Sequence, residues 1–345
     1  MFFGCAIFDQ PLERWNVGQV KDMCCMFSLS PFNHPLACWD VSHVTDMSEM
    51  FICCLDLPSL DLRSFDTSNV TGMRDMFSDC SSLTCLDLTR FDTRNVTDMK
   101  LMFLSCSSLT ELDLTRFDTR NVTNMEGMFS GCEALTSLDL KNFDTQNVTD
   151  MRKMFYDCKA LTSLDLKNFN TQNVTDMSWM FFDCWTLTSL DLKNFNTENV
   201  TNMSLMFSGC SALTSLDLKN FDTQNVTNMW GMFSGCSALT SLDLQNFNTQ
   251  KVTDMNWMFY ACPALTTIYS NTAWRCPKSD DMFFCNPKLK GAVSYDGKNR
   301  DVMMANPETG YFTAKPTTEK MNRRSAAHLP AARKRGARKH LPAGV

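Results

Sequence analysis

Eight cysteines recur at a constant interval of 26 residues in this 345-residue sequence. They are Cys80, Cys106, Cys132, Cys158, Cys184, Cys210, Cys236 and Cys262. Thiols in such a row could form disulfides, bind a metal ion or fill a core as small apolar groups. No C-x-x-C pair indicates zinc, and the total of 17 cysteines is odd, which leaves at least one thiol free. We expect a buried ladder, with disulfides or metal binding as the alternatives.

An aspartate recurs at the same interval in an L-D-L triplet. The row consists of Asp87, Asp113, Asp139, Asp165, Asp191, Asp217 and Asp243. Like charges on neighbouring strands repel, so the row needs neutralisation or a function. Four of these aspartates have a lysine two residues later, as in Asp165 and Lys167. We expect a solvated face, and contact with a partner or a cation is the functional alternative.

The remaining candidates for catalysis are few. None of the four histidines lies in the regular repeats. A repeated row of carboxylates offers no environment that separates two pKa values, as paired catalytic acids require. No nucleophile, base and acid stand apart from the repeat, so we predict no enzyme activity, no catalytic residue, no metal site and no cofactor.

The elements that position these rows follow from the repeat F-[DN]-T-x-N-V-T-x-M-x-x-M-F-x-x-C-x-x-L-x-x-L-D-L-x-x. Met151, Met154, Phe155 and Cys158 have the spacing of one face of a short helical turn. The triplet L-D-L alternates as a short strand does. One unit cannot bury its apolar face alone, so neighbours must stack. We predict an α/β repeat solenoid with one short parallel strand and one short helical turn per coil.

Four regions are expected along the chain. Residues 1–43 are divergent, truncated N-terminal repeats without a cap, so the start is interpreted as a fragment edge. Residues 44–267 are regular repeats, 268–313 a C-terminal capping repeat, and 314–345 a basic disordered tail. No apolar run is long enough to span a bilayer.

The outward positions of the predicted helical turn vary between coils. They hold Trp179, Leu205, Trp230 and Trp257 in the later coils. Exposed aromatic side chains on neighbouring coils mark binding surfaces, so these residues and the aspartate row are the candidates for partner contact. Packing between adjacent coils is the alternative.

The block M-F-x-x-C-x-x-L-x-x-L-D-L resembles the leucine-rich repeats of the BspA-like surface-protein family, and the full 26-residue unit is similar to the bacterial surface-protein repeat. The likeness covers residues 1–313. It implies a leucine-rich-repeat-like solenoid, a cell-surface or secreted location, and adhesion or host-protein binding without catalytic residues. The sequence shows no signal peptide, lipobox cysteine or LPxTG-type anchor.

We therefore expect a non-enzymatic, surface-displayed scaffold for adhesion or protein–protein binding. The protein or host-surface ligand would contact a solenoid face, and no nucleic acid is expected for the repeats. The alternatives are a structural spacer, a truncated fragment without independent function, or threonine columns (Thr145, Thr149 and their equivalents) that bind ice or carbohydrate.

The basic tail gives the first testable prediction. Lys315–Val345 contains nine Lys or Arg and one acid, and such a segment cannot bury enough apolar surface to offset its ordering entropy. Deletion of residues 315–345 should leave the melting temperature of the solenoid essentially unchanged in a thermal-unfolding measurement. A drop of more than a few degrees would show that the tail docks.

Overall fold

Parallel pairing between successive coils runs along the chain in the computed structural model, which describes residues 2–5 and 7–315. One residue per coil forms a parallel β-bridge with the equivalent residue of the next coil. The bridged residues are Asp22, Asp46, Gly72, Asp98, Asn124, Asp150, Asp176, Asn202, Asn228 and Asp254. The register advances by 26 residues in the regular coils, so the predicted solenoid is confirmed.

The L-D-L strands are short and parallel. Strands β1 (Ser59–Leu60) and β2 (Cys85–Leu86) form one sheet. Strands β3 (Ser241–Asp243), β4 (Thr267–Tyr269) and β5 (Phe312–Thr313) form a second, in the order β3-β4-β5. A 3-10 helix, Val302–Met304, lies between β4 and β5. The parallel strand predicted for every coil is observed at both ends of the regular coils, whereas the L-D-L triplets between residues 112 and 218 form no strand.

The segment M-x-x-M-F-x-x-C forms a series of hydrogen-bonded turns and not the predicted helical turn. The N–H of Met154 donates to the C=O of Met151, three residues back, at 3.3 Å. The next N–H, that of Phe155, donates instead to the C=O of Met180 in the following coil at 3.0 Å. An α-helix would use both N–H groups within the segment. Alternation between local and inter-coil bonds is what excludes the helix.

Left-handed backbone conformations make this alternation possible. The second and sixth residues after the first Met have positive φ, as at Lys153 (57°) and Asp157 (60°). Glycine, which adopts such angles without steric cost, occupies the first of these positions at Gly127 and Gly231. These glycines were the sequence signal against a helix.

Side-chain columns fill the space between the coils. Buried phenylalanines from Phe51 to Phe259 stack with ring centroids 5.6–5.8 Å apart, one ring per coil. The Asn of each N-V-T donates to a carbonyl of the preceding coil, as Asn147 does to Arg120 at 2.7 Å. Each new coil therefore both buries apolar surface and satisfies polar groups of the coil before it.

Residues 268–313 depart from the repeat, and β5 places Phe312 against Trp274 with ring centroids 4.8 Å apart. The capping role of this segment, like the divergent repeats of 1–43, stays a prediction. The basic tail predicted for 314–345 lies outside the described residues from 316 onward.

A left-handed residue and a helical residue predict opposite effects of a glycine substitution on the free energy of unfolding. Ala261 has φ = 53°, at the position that Gly209 and Gly235 occupy in other coils. Ala261→Gly should raise the free energy of unfolding by about 1 kcal/mol, because glycine relieves the strain of a Cβ at positive φ. Equilibrium urea denaturation measures the change.

Ala264→Gly is the matched control, since Ala264 does not have positive φ. This change should lower the free energy of unfolding by about 0.5–1 kcal/mol. If both variants were destabilised alike, the left-handed assignment at Ala261 would be wrong.

Candidate functional site

The cysteine ladder is buried and every cysteine is a free thiol. Each ladder Sγ donates to the C=O of a phenylalanine in the preceding coil, as Cys158 does to Phe129 at 3.2 Å. Burial raises the pKa of Cys132, Cys184 and Cys262 to about 12. The ladder is therefore a set of small core residues with protonated thiols, as expected, and the thiolate that nucleophilic chemistry needs is disfavoured.

The threonine columns are engaged inside the solenoid. Thr145 is fully buried, and its hydroxyl donates to the C=O of Asn170 (2.9 Å) and accepts the N–H of the same residue (2.8 Å). Thr149 is exposed, but its hydroxyl donates to the C=O of Thr123 at 3.3 Å. A buried column cannot contact ice or sugar, so the Thr145 column is excluded as that surface.

The aspartate row lies on the strand face. Six of its members are exposed and Asp243 is half-buried. Each carboxylate accepts the backbone N–H two residues later, as Asp139 does from Lys141 at 3.2 Å. The Lys141 ammonium, 2.5 Å from the carboxylate, lowers the pKa of Asp139, and the Thr89 hydroxyl lowers that of Asp87 in the same way.

The row borders two grooves on this face. One, of about 740 Å³, is lined by Asp61, Asp87, Glu111, Asp113 and Asp139, among others. The other, of about 460 Å³, includes Asp165, Asp191 and Asp217. Among the described residues, no group of three or more His, Cys, Asp or Glu is placed to hold a metal ion. Hydrogen bonds and lysines largely account for the row, and the two grooves are open surfaces that leucines line as well as polar residues, as Leu60 and Leu164 do.

Lys315, the first residue of the basic segment, contacts the end of this row. Its ammonium lies 2.5 Å from Asp243 and 4.5 Å from the ring centroid of Tyr269. Its N–H also donates to Asn271 at 3.0 Å. The contacts of the described chain therefore extend to residue 315, two residues beyond the expected end of the capping repeat at 313.

The turn face of the later coils carries a continuous chain of aromatic rings, which we call the aromatic band. Its members are Tyr156, Trp179, Phe182, Trp230, Trp257, Tyr260 and Phe284. Neighbouring ring centroids lie 4.8–6.0 Å apart, and the Trp230–Trp257 pair is at 5.8 Å. Trp257 is 44% exposed, whereas the other members are half-buried. The structure thus brings the three predicted tryptophans together.

Leu205 does not share their exposure. It is 5% exposed, and a Cβ at Gly231 would lie only 2.6 Å from its Cδ2, so Leu205 occupies space that the glycine leaves free. The prediction that Leu205 is an exposed contact residue is wrong, because the exposure of this side chain depends on the residue that the next coil places beside it. The sequence interpretation missed Phe182 and Tyr260, whose signal was an aromatic directly after the Met-Phe pair.

Within the described residues, no helix has the length and apolarity needed to cross a bilayer. A row of hydrogen-bonded carboxylates, protonated buried thiols and a band of half-exposed rings offers contact area and little reactivity. Such an arrangement suits recognition of another molecule's surface.

The fold and these surfaces define a leucine-rich-repeat-like solenoid. The chain belongs to the family described as "Mycoplasma protein of unknown function, DUF285", whose model matches residues 1–85, 81–188 and 175–294. No curated protein sequence matches the chain.

Solved structures with a similar fold come from several bacteria. A leucine-rich repeat protein of T. pallidum is 20% identical, with a TM-score of 0.34, over 50% of this chain and 72% of that one. One from Bacteroides ovatus is 17% identical (TM-score 0.31; 86% and 84% covered). The pneumococcal vaccine antigen PcpA is 14% identical (0.38; 86% and 85%). The T. pallidum and Bacteroides ovatus proteins are leucine-rich repeat proteins, the class that the repeat of this chain resembles.

Burial of the ladder gives a prediction about thiol reactivity. Iodoacetamide at pH 8 should first modify the exposed Cys38, Cys85 and Cys285, because thiolate formation and access are both suppressed in the core. Mass spectrometry of the native protein should find the ladder cysteines unmodified. In denaturant all 17 cysteines should react at similar rates. Native modification of Cys158 as fast as Cys85 would contradict the buried ladder.

Proposed function

We propose that this protein is a non-enzymatic scaffold displayed at the cell surface, where it binds protein partners in adhesion. The aromatic band is the surface proposed to make the contact. Protein interfaces are enriched in Trp, Tyr and Phe, whose rings provide large contact area at a low cost in side-chain entropy. The aspartate row is proposed as a polar rim on the neighbouring strand face.

The single observation that supports this proposal is the continuity of the band across coils. Tyr156 and Phe284 lie at its ends, and the coils between them supply the other five rings. Cations border it, since Lys153 lies 5.9 Å from the ring of Trp179 and Arg300 lies 4.8 Å from that of Phe284. A structural spacer has no need for such an arrangement of half-exposed rings at its surface.

The experiment is a binding screen of the full chain against immobilised extracellular-matrix and cell-surface proteins, followed by affinity measurement with surface plasmon resonance. The double variant Trp230→Ala/Trp257→Ala should lower the affinity at least tenfold, since buried aromatic anchors dominate binding energy. The melting temperature should change little, because neither Trp230 nor Trp257 belongs to the buried core.

Trp185→Ala is the matched control, because Trp185 is 49% exposed and forms no ring contact with the band. Its affinity should equal that of the unmodified chain. An equal loss in both variants would show that the band is not the contact surface. Failure of the full chain to bind any member of the panel would contradict the adhesion function itself.

A further inference from the structure

A second surface lies in the early coils, away from the aromatic band. It is an open groove of about 760 Å³ that spans three successive coils, here called the arginine cavity. Four arginines line it: Arg90, Arg94, Arg116 and Arg120. Three aspartates also line it: Asp66, Asp92 and Asp118. The cavity is thus net positive on a chain whose formal charge is −6.

Two of the arginines are held by the carboxylates. Arg94 pairs with Asp92 through two contacts, Nε–Oδ1 at 2.9 Å and Nη2–Oδ2 at 2.7 Å. Arg120 pairs with Asp118 in the same way, at 2.9 and 2.8 Å. These forks fix the walls of the cavity and leave their carboxylates with lone pairs that accept further hydrogen bonds.

The other two arginines behave differently. Arg90 and Arg116 are exposed, and neither side chain forms an ion pair or hydrogen bond with any residue in 2–5 or 7–315. They occupy equivalent positions one coil apart, immediately before the leading Phe of the repeat. Two unpaired guanidinium groups therefore face one cavity at the spacing of adjacent coils.

In other coils the residue at this position forms a hydrogen bond to the preceding coil. Asn142 donates its side-chain N–H to the C=O of Thr115 in the preceding coil at 2.5 Å, and Asn194 donates to Lys167 at 2.6 Å. Ser64 bridges in the same way to Leu36 at 3.3 Å. Arginine at 90 and 116 gives up this inter-coil bond, so fold stability does not explain the two substitutions within the repeat.

We propose that the arginine cavity binds a sulfated polysaccharide, with Arg90 and Arg116 each holding a sulfate group. Guanidinium forks bind tetrahedral oxyanions in bidentate fashion, and a polymer with sulfates at intervals satisfies two arginines on adjacent coils. The carboxylates of Asp66, Asp92 and Asp118 accept hydrogen bonds from sugar hydroxyls between the sulfates.

The same walls do not favour a single-stranded nucleic acid. Binding of that kind uses exposed aromatic rings on which bases stack. The aromatic residue that lines the cavity, Phe91, is 2% exposed, so its face is covered. Carboxylates beside the arginines would also repel a backbone that presents only closely spaced phosphates.

The test uses the full chain and a fluorescent heparin hexasaccharide, followed by anisotropy at low and physiological salt. The double variant Arg90→Asn/Arg116→Asn installs the residue that the later coils carry at this position, from Asn142 to Asn246. Affinity for heparin should fall at least tenfold, because charge-assisted hydrogen bonds are lost. The melting temperature should stay constant or rise, since the asparagines can form the missing inter-coil bonds. Loss of folding is thus not a competing explanation.

Two controls remove the same number of charges elsewhere. Lys167→Gln/Lys193→Gln changes lysines of the strand face, and Arg333→Gln/Arg335→Gln changes the basic C-terminal segment. Both should retain affinity within about twofold, as expected for charges that act only through screened long-range attraction. An equal or larger loss in either control would overturn the proposal, because binding would then follow total charge or the C-terminal segment.

Two further ligands separate the sources of anionic groups. Fully desulfated heparin should not compete with the labelled hexasaccharide, whereas unlabelled heparin should. Polyphosphate of similar length should compete at least tenfold more weakly, since it has no hydroxyls for the aspartates. Equal competition by polyphosphate, or no heparin binding at low salt, would overturn the assignment to a sulfated sugar. Neither result depends on the aromatic band, so the protein-binding function is tested separately.

Discussion

Backbone hydrogen bonds between successive coils are the interaction on which the rest of this structure depends. Every second N–H of the turn segment leaves its own coil for the carbonyl of the next, as Lys153 does for Ser178 at 3.0 Å. This requires left-handed residues at two positions per coil. The backbone strain at each left-handed residue is tolerated because the hydrogen bonds to the neighbouring coils hold the backbone in this conformation. Identical residues are thereby held in register from coil to coil.

Because equivalent residues are held in register, they form columns along the solenoid. The side chains in these columns have little chemical reactivity. Each ladder cysteine donates to the C=O of a phenylalanine in the preceding coil, and burial raises its pKa, as at Cys158 and Cys236. The aspartates on the strand face each accept the same backbone hydrogen bond from the residue two positions later, as Asp139 does from Lys141 and Asp165 does from Lys167. Catalysis needs groups whose environments differ, whereas recognition needs area. The architecture favours recognition.

Differences between coils are therefore where specific function can arise. The aromatic band occupies the turn face of the later coils, and the arginine cavity lies in the early ones. In both places an outward residue departs from the repeat without disturbing the buried columns. Gly231 shows how one coil affects its neighbour: because glycine has no side chain, Leu205 of the preceding coil is buried beside the band. One rigid frame can thus present two surfaces of different chemistry.

The sequence by itself determined the 26-residue period, the buried cysteine ladder and the outward aspartates. It could do so because apolar residues recur at the buried positions of each repeat and charged residues recur at the exposed ones. The apolar pattern of the turn segment could not distinguish a helix from a series of turns, and Gly127 and Gly231 were the sequence signal against the helix. Met151, Met154, Phe155 and Cys158 are fully buried in the turns, and a helical face would bury the same four residues. Only the stacked structure decided between them, since the inter-coil bonds exist only when the next coil is in place. The burial of Leu205 and the meeting of Trp179 with Trp230 were decided in the same way, by neighbours that are distant in sequence.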